Sequence, residues 1–157
     1  MRPLYLLTLL AICSPSGFAQ SRASSQDALR MEDEKLLAYR RAVAPYVAKA
    51  RATYPAAKKR FLAGLSPGHM FAVMVRLQAI DHAKKVVQQA DVFVDVHAIK
   101  NRKIYGRINS PMPISGYKRG QLISFPESEI INWLIQRPDG SEEGNAVGKF
   151  VDNYKPK

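Results

Sequence analysis

The hydrophobic pattern of this chain changes from a helical period to an alternating one near residue 66. Between Leu29 and Ala50, apolar residues recur at spacings of seven, three and four, which places them along one face of a helix. Pro45 is expected to kink or restart this helix, because its ring clashes with the preceding turn and it has no backbone N–H to donate. A second short helix is expected from Pro55 to Leu62.

After residues 66–68, apolar and polar side chains alternate, as they do in strands with one buried face. Helices followed by strands favour an α+β fold, with N-terminal helices packed on a largely antiparallel sheet of about five strands. The strands are predicted at about residues 71–76, 92–99, 103–108, 121–125 and 130–136. The expected core contains Phe71, Val73, Val92, Val94, Val96, Ile131, Trp133 and Ile135.

The first residues have the layout of a secretory signal peptide. Arg2 supplies a positive charge, an apolar run extends to Cys13, and small residues stand at Gly17 and Ala19. Cleavage after Ala19 is therefore expected, with export to the periplasm or the medium. The apolar run is too short to cross a bilayer, which takes about 20 residues, and no later stretch qualifies as a transmembrane segment.

Three segments are predicted: a signal peptide at 1–19, a helical extension at 20–50 and an α+β domain at 51–157. Lipid modification of Cys13 is the rival interpretation of the first segment, although Ile12 stands where lipoprotein signals have a small residue. Because Cys13 is the only cysteine, neither a disulfide framework nor a Cys-ligated zinc site can form within the chain.

The chain is strongly basic, with 24 Lys or Arg against 13 Asp or Glu among 157 residues and a formal net charge of +11. Some basic clusters have a tyrosine nearby, a combination found in single-stranded nucleic-acid sites. An exported protein seldom meets nucleic acid, so the expected partner is an anionic protein or envelope polymer. The alternative is that these basic clusters are solvated surface without a partner. The candidate binding residues are Lys100, Arg102, Lys103, Tyr105, Tyr117, Lys118 and Arg119.

Candidate catalytic residues are fewer. Asp95 and His97 lie two apart on a predicted strand, so they would share a face, and a carboxylate can orient an imidazole as a general base. Glu142 and Glu143 follow a predicted turn and could supply an acid/base pair, although neighbours on a strand point apart. No metal site or cofactor is predicted, since the three histidines lack ligand spacing and no glycine-rich phosphate loop occurs.

Several short motifs in the second half resemble those of the YegJ-like bacterial domain of unknown function. They include Tyr105-Gly106-Arg107-Ile108-Asn109, Lys118-Arg119-Gly120-Gln121, Asn132-Trp133 and Glu142-Glu143-Gly144-Asn145. The resemblance covers about residues 50–152. It implies a small bacterial α+β domain and transfers no catalytic residue.

Three functions stay open from the sequence. The first is an exported binding protein, which fits a basic chain without a well-marked catalytic motif. The second is a small acid/base hydrolase that acts on an anionic polymer through Asp95, His97 or Glu142. The third is a structural envelope protein that associates with anionic lipid or glycan. A concave site where a carboxylate and a histidine converge would favour the second.

Overall fold

The computed structural model describes residues 17–81, 85–111 and 114–155, and the side chains of these residues except 17–32 and 81. The signal-peptide prediction therefore lies largely outside the described residues. The elements in chain order are α1 (Gly17–Ala63), β1 (Met70–Asp81), β2 (Val86–Lys100), β3 (Lys103–Ile108), β4 (Leu122–Pro126), a 3-10 turn (Glu127–Glu129), β5 (Ile130–Gln136), β6 (Glu142–Gly144) and α2 (Ala146–Asn153).

Contacts divide the chain into one unit that ends at Tyr39 and another that begins at Arg40. In the first unit, residues 17–39 are helical. The second unit contains the rest of α1, the sheet and α2. The sequence-predicted boundary between residues 50 and 51 lies inside α1.

The prediction of a separate second helix from Pro55 to Leu62 is wrong, because α1 continues through Pro55 as it does through Pro45, where a kink or restart was expected. Both prolines are exposed, so water can hydrate the carbonyl groups that lose their helical donors. The opposite side of the helix buries Val43, Ala50 and Tyr54. This packing holds the two predicted segments in one helix.

The predicted α+β class with a helix on an antiparallel sheet is confirmed. The sheet has six strands in the order β4-β3-β2-β1-β5-β6, and every neighbouring pair is antiparallel. The sixth strand, β6, consists of Glu142, Glu143 and Gly144 and pairs with β5. Its polar sequence has no alternating signal, so it was not among the predicted strands.

One core lies between α1 and the sheet. Trp133 is central to it, and its Nε1 donates to the Ala50 carbonyl at 3.1 Å and to Thr53 Oγ1 at 3.0 Å. Seven of the eight predicted core residues belong to the buried cluster. The exception is Ile131, because a β-bulge shifts the register after Met74 and brings Ile130 opposite Val75 instead. Ile130 is consequently buried and Ile131 only half-buried.

Candidate functional site

The hairpin that joins β2 to β3 carries three cations in four residues. Lys100 and Lys103 are paired directly across the two strands. Asn101 and Arg102 form the turn between them, with φ angles of 50° and 59°. Positive φ at both central residues is the signature of a type I′ turn, whose twist matches that of the flanking strands. The turn thus places the side chains of Lys100, Arg102 and Lys103 at one end of the sheet, all of them exposed.

This arrangement is unfavourable for the isolated protein in two respects. Like charges directly opposite each other on paired strands repel. Arg102 also occupies the left-handed region, which costs a residue with a Cβ about 1 kcal/mol and normally selects glycine. Within the described part of the chain, none of the three cations forms an ion pair. The cationic hairpin, defined as Lys100, Arg102 and Lys103, is therefore uncompensated.

The outward face of β3 extends this surface. Its side chains alternate between exposed and buried, so Lys103, Tyr105 and Arg107 are exposed while Ile104 and Ile108 face the core. Tyr105 is 41% exposed. Arg107 is partly engaged, because its Nη1 donates to the Gly120 carbonyl at 3.0 Å. An aromatic ring thus lies between two cations on one strand.

The remaining predicted binding residues lie elsewhere. Lys118 and Arg119 belong to the loop before β4, which meets β3 at its far end through the Gly120–Ile108 backbone hydrogen bond of 2.7 Å. Arg119 Nη2 donates to Asn109 Oδ1 at 3.3 Å. Tyr117 packs partly buried against the core. The structure therefore brings together Lys100, Arg102, Lys103 and Tyr105, and separates them from the other three.

Glu127 anchors the cationic hairpin to α1. Its backbone N–H donates to the Arg102 carbonyl at 3.0 Å. Its two carboxylate oxygens accept hydrogen bonds from Lys58 Nζ at 2.7 and 2.9 Å. The contact between Lys58 and Glu127 was not predicted from the sequence, since nothing in their spacing shows that they meet across 69 positions. Arg107 was also missed as a binding residue, although the alternation of β3 places it with Lys103 and Tyr105.

The Tyr54 hydroxyl is buried beside this anchor. Among the described residues, no partner lies within hydrogen-bonding geometry of this oxygen. Burial, and then the negative charge of Glu127, raise the pKa of Tyr54 well above its usual value of 10.0. The phenol therefore stays protonated to a higher pH than an exposed tyrosine.

Asp95 and His97 border one surface depression of 450 Å³, together with His69 and the apolar side chains of Phe61 and Leu65. His97 is the extra residue of a β-bulge between Val96 and Ala98, which interrupts the alternation assumed for the pair. No hydrogen bond joins Asp95 to His97 in the described part of the chain. Asp95 Oδ1 instead accepts from Asn109 Nδ2 at 3.0 Å.

Glu142 lies on a different cleft of 280 Å³, which Asp95 and Ser110 also line. Glu142 Oε2 accepts from Asn145 Nδ2 at 2.6 Å, and Ser110 Oγ accepts from the Phe93 backbone N–H at 2.9 Å. Among the described residues, no imidazole borders this cleft, so neither His69 nor His97 lies beside Ser110 as a base. Glu142 and Asp95 therefore share this cleft, whereas His97 borders the other depression.

Glu143 points away from this cleft and pairs with Arg60 and Arg137. Among the described residues, no three His, Cys, Asp or Glu side chains come together as a metal site. The described helices include none with the length and apolar character needed to cross a membrane.

No family model matches the chain, and neither a curated protein nor a solved structure matches it.

Proposed function

We propose that this protein is an exported, non-enzymatic binding protein whose cationic hairpin engages an anionic protein or envelope polymer. The observation that carries the proposal is the uncompensated charge of Lys100, Arg102 and Lys103 on a turn that is itself strained at Arg102. If this surface had no binding role, residues that cost less folding free energy could occupy these positions, such as glycine in the turn. An anion would relieve the repulsion between the paired lysines.

The spacing of charges favours a partner with several negative groups. Lys100 and Lys103 are cross-strand neighbours, with Cα atoms about 5 Å apart. Lys103 and Arg107 lie four residues apart on one strand, which is about 13 Å, and Tyr105 stands between them. A single small anion would meet only part of this surface. An extended polyanion, or an acidic surface of a protein, would contact the cations together.

The net charge acts over a longer range than these contacts. Cleavage after Ala19 removes Arg2 from the chain of +11, and the remaining net charge of +10 attracts acidic partners and accelerates their encounter at low ionic strength. Salt screens exposed charges with a Debye length of about 8 Å at physiological ionic strength. Binding at the cationic hairpin is therefore expected to weaken as salt is added.

Export is the part of the proposal that the sequence alone supports. The basic start, the apolar run and the small residues before Gln20 occur in the order that signal peptidase requires. Intact-mass measurement on protein from its own cells is expected to show a chain that begins at Gln20. A chain that retains Met1, or one with a diacylglycerol on Cys13, would contradict export by this route.

The hydrolase remains the second candidate because one observation favours it: Asp95, His97 and His69 border the same depression. A carboxylate and an imidazole at a concave site are the parts that acid/base hydrolysis needs. The two groups are not hydrogen bonded to each other here, although such contacts can tighten when substrate binds. Turnover of an anionic polysaccharide that is lost in both Asp95→Asn and His97→Ala would establish this function in place of binding alone.

The binding proposal is tested with two matched triple variants of the full chain. Lys100→Gln, Arg102→Gln and Lys103→Gln remove the cationic hairpin. Arg41→Gln, Lys49→Gln and Lys59→Gln remove the same charges from exposed positions on α1. Both variants have the same net charge.

Dextran sulfate serves as the polyanion, and neutral dextran controls for the sugar. The hairpin variant is expected to bind dextran sulfate at least about tenfold more weakly than the α1 variant, because only local charges separate the two. Equal losses in both variants would show that binding follows net charge and would contradict a site at the hairpin.

A further inference from the structure

Strand β4 forms one edge of the sheet. It pairs with β3 on one side, and no described strand pairs with its other side. The opposite edge, β6, has only three residues, of which two are glutamates. β4 has five residues and no charged side chain. Proteins usually protect an exposed edge with charges, proline or a bulge, because its unpaired N–H and C=O groups can pair with another strand.

The register identifies the backbone groups through which β4 binds β3. In an antiparallel pair, opposite residues alternate between exchanging hydrogen bonds and exchanging none. The Glu127 N–H donates to the Arg102 carbonyl at 3.0 Å, just beyond the end of the ladder. Counting back by two residues makes Phe125 and Ile123 the hydrogen-bonded partners of β3. The backbone groups of the other three residues of β4 therefore point away from β3.

These three residues define the free edge of β4: Leu122, Ser124 and Pro126. Leu122 and Ser124 each direct an N–H and a C=O group outward, and Pro126 directs a C=O group alone. Within the described part of the chain, no hydrogen bond engages these groups. All three side chains are exposed, Leu122 at 62%. The free edge of β4 is thus accessible to a further strand.

The outward side chains of β3 stand beside this free edge, on the same face of the sheet. The cross-strand pairs are Lys103 with Pro126, Tyr105 with Ser124, and Arg107 with Leu122. A strand added beyond β4 would lie about 10 Å from β3, which is twice the usual strand spacing. Lys and Glu side chains can together bridge that distance across an uncharged residue. Arg107 can do so as well, because its guanidinium has more N–H groups than the one bonded to Gly120.

We infer that the anionic partner is a protein whose acidic, extended segment binds as an additional strand along the free edge of β4. The inference rests on the proposed function, because the cations beside this edge supply the charge complementarity. Strand addition provides main-chain hydrogen bonds at Leu122 and Ser124, and pockets for alternate side chains provide specificity. A polysaccharide or a polyphosphate lacks the regular series of N–H and C=O groups that such a ladder needs.

The register also predicts the sequence pattern of the bound segment. We expect it to run antiparallel to β4, because every strand pair in the sheet is antiparallel. Alternate side chains of the segment then lie on the same face as Tyr105. Lys103 and Arg107 are four residues apart on β3, so two acidic residues with the same separation would lie beside them. An apolar residue midway between the two would lie beside Ser124 and Tyr105.

A second copy of this chain fits the edge less well. Pairing of β4 with β4 of another copy would bring the exposed cations of two β3 strands toward each other. Like charges on neighbouring strands repel, whereas an acidic segment meets opposite charge. The charges beside the edge therefore favour an acidic peptide over self-association.

The probe is the acetylated and amidated peptide Thr-Glu-Thr-Val-Thr-Glu-Thr. With its valine opposite Ser124, the valine N–H donates to β4, and the N–H groups of the adjacent threonines point to solvent. N-methylation of the valine is expected to weaken binding to the full chain at least about tenfold, because it removes a ladder hydrogen bond and puts a methyl group at the contact. N-methylation of the following threonine is expected to leave the affinity unchanged. Equal affinities of the two methylated peptides, or weaker binding of the second, would overturn the inference.

Ser124→Pro tests the same ladder from the protein. Proline removes the N–H at the free edge and leaves the hydrogen bonds to β3 intact, as it does on natural edge strands. Ser124→Ala is the control, because it loses the hydroxyl and keeps the N–H. The proline variant is expected to bind the unmethylated peptide about tenfold more weakly than the alanine variant. Equal affinities would overturn the inference, and if the proline variant does not fold, the methylated peptides decide the question on the wild type.

The proposed function and this inference fail in different measurements. Dextran sulfate reports the cationic hairpin without a backbone ladder, so Ser124→Pro is expected to bind it as the wild type does. Equal dextran sulfate binding by the two triple variants counts against the hairpin, whereas equal binding of the two methylated peptides counts against strand addition. A wild-type dimer that Ser124→Pro abolishes in sedimentation would also overturn the inference and would assign the edge to a second copy.

Discussion

Asn132 Nδ2 donates a hydrogen bond of 2.8 Å to Asn145 Oδ1, and this pair joins the centre of β5 to the start of α2. Asn132 is fully buried. Asn145 Oδ1 also accepts from the Gly148 backbone N–H at 3.2 Å, which caps the helix. These contacts give both asparagines a role in folding.

Asn145→Ala is expected to lower the free energy of unfolding by about 2–4 kcal/mol. The change removes the cap of α2 and leaves the buried Asn132 amide without a partner. Asn145→Gly is expected to cost about 1 kcal/mol less, because Asn145 has a φ of 54° and glycine adopts this conformation freely. Denaturant unfolding measures both values. A loss no larger than that of Asn153→Ala, at the exposed end of α2, would contradict this role.

Trp133→Ala is expected to cost about 3–5 kcal/mol, the range for removal of a large buried aromatic side chain. Trp133→Phe keeps most of the volume and loses the N–H bonds to Ala50 and Thr53, so about 1 kcal/mol beyond the packing change is expected. Denaturant unfolding measures the free energy of unfolding of both variants, and the comparison separates the lost packing from the lost hydrogen bonds. A midpoint for Trp133→Ala equal to that of the wild type would show that this side chain does not hold α1 on the sheet.

Arg102→Gly is expected to change stability and binding in opposite directions. Glycine relieves the left-handed strain at this position by up to about 1 kcal/mol, and Asn-Gly is the preferred type I′ pair. The same change removes one cation from the hairpin, so binding to dextran sulfate weakens. Arg102→Gln serves as the control, because it loses the charge and keeps the strain. Thermal unfolding that ranks the glycine variant below the glutamine variant would contradict the strain at Arg102.

Ionisation of the Tyr54 phenol is expected to lower the free energy of unfolding at alkaline pH. Its folded-state pKa is raised above the unfolded value of 10.0, so the unfolded chain loses this proton first as the pH rises. Stability from this group is therefore present below about pH 10 and falls above it. Tyr54→Phe is expected to remove this decline, and to leave stability at neutral pH equal or higher because the hydroxyl has no partner. Denaturant midpoints between about pH 8 and pH 11 measure the difference. The same alkaline decline in both proteins would assign it to other groups.

The sequence predicted those parts of the fold that depend on local alternation. The bounds predicted for β3 and β5 match the structure, because β3 alternates between exposed and buried side chains and β5 is a short, mostly apolar run that a turn follows. It did not predict the bulge that exchanges Ile131 for Ile130, since the register depends on how β5 meets β1. It also failed at Pro55, where a second helix was expected to begin, because burial of one helix face keeps α1 continuous through this residue.

The candidate site was predicted in part for the same reason. Lys100, Arg102 and Lys103 are adjacent in sequence, so their clustering could be read directly. Lys58 and Glu127 reach the hairpin only through tertiary contacts, and no local pattern marks them. The grouping of Lys118 and Arg119 with the hairpin assumed a proximity that the length of β3 prevents.

The most direct test of the proposed function locates the bound anion by NMR. Backbone amide shifts of the full chain are followed while inorganic polyphosphate is added at low salt. The largest changes are expected at Ile99–Tyr105 and at Ser124 and Phe125 of the neighbouring strand, which pair with Tyr105 and Ile104. They are expected to shrink as salt is raised. Changes that are largest on residues 40–60 of α1, or equal over all basic surfaces, would contradict a binding site at the cationic hairpin.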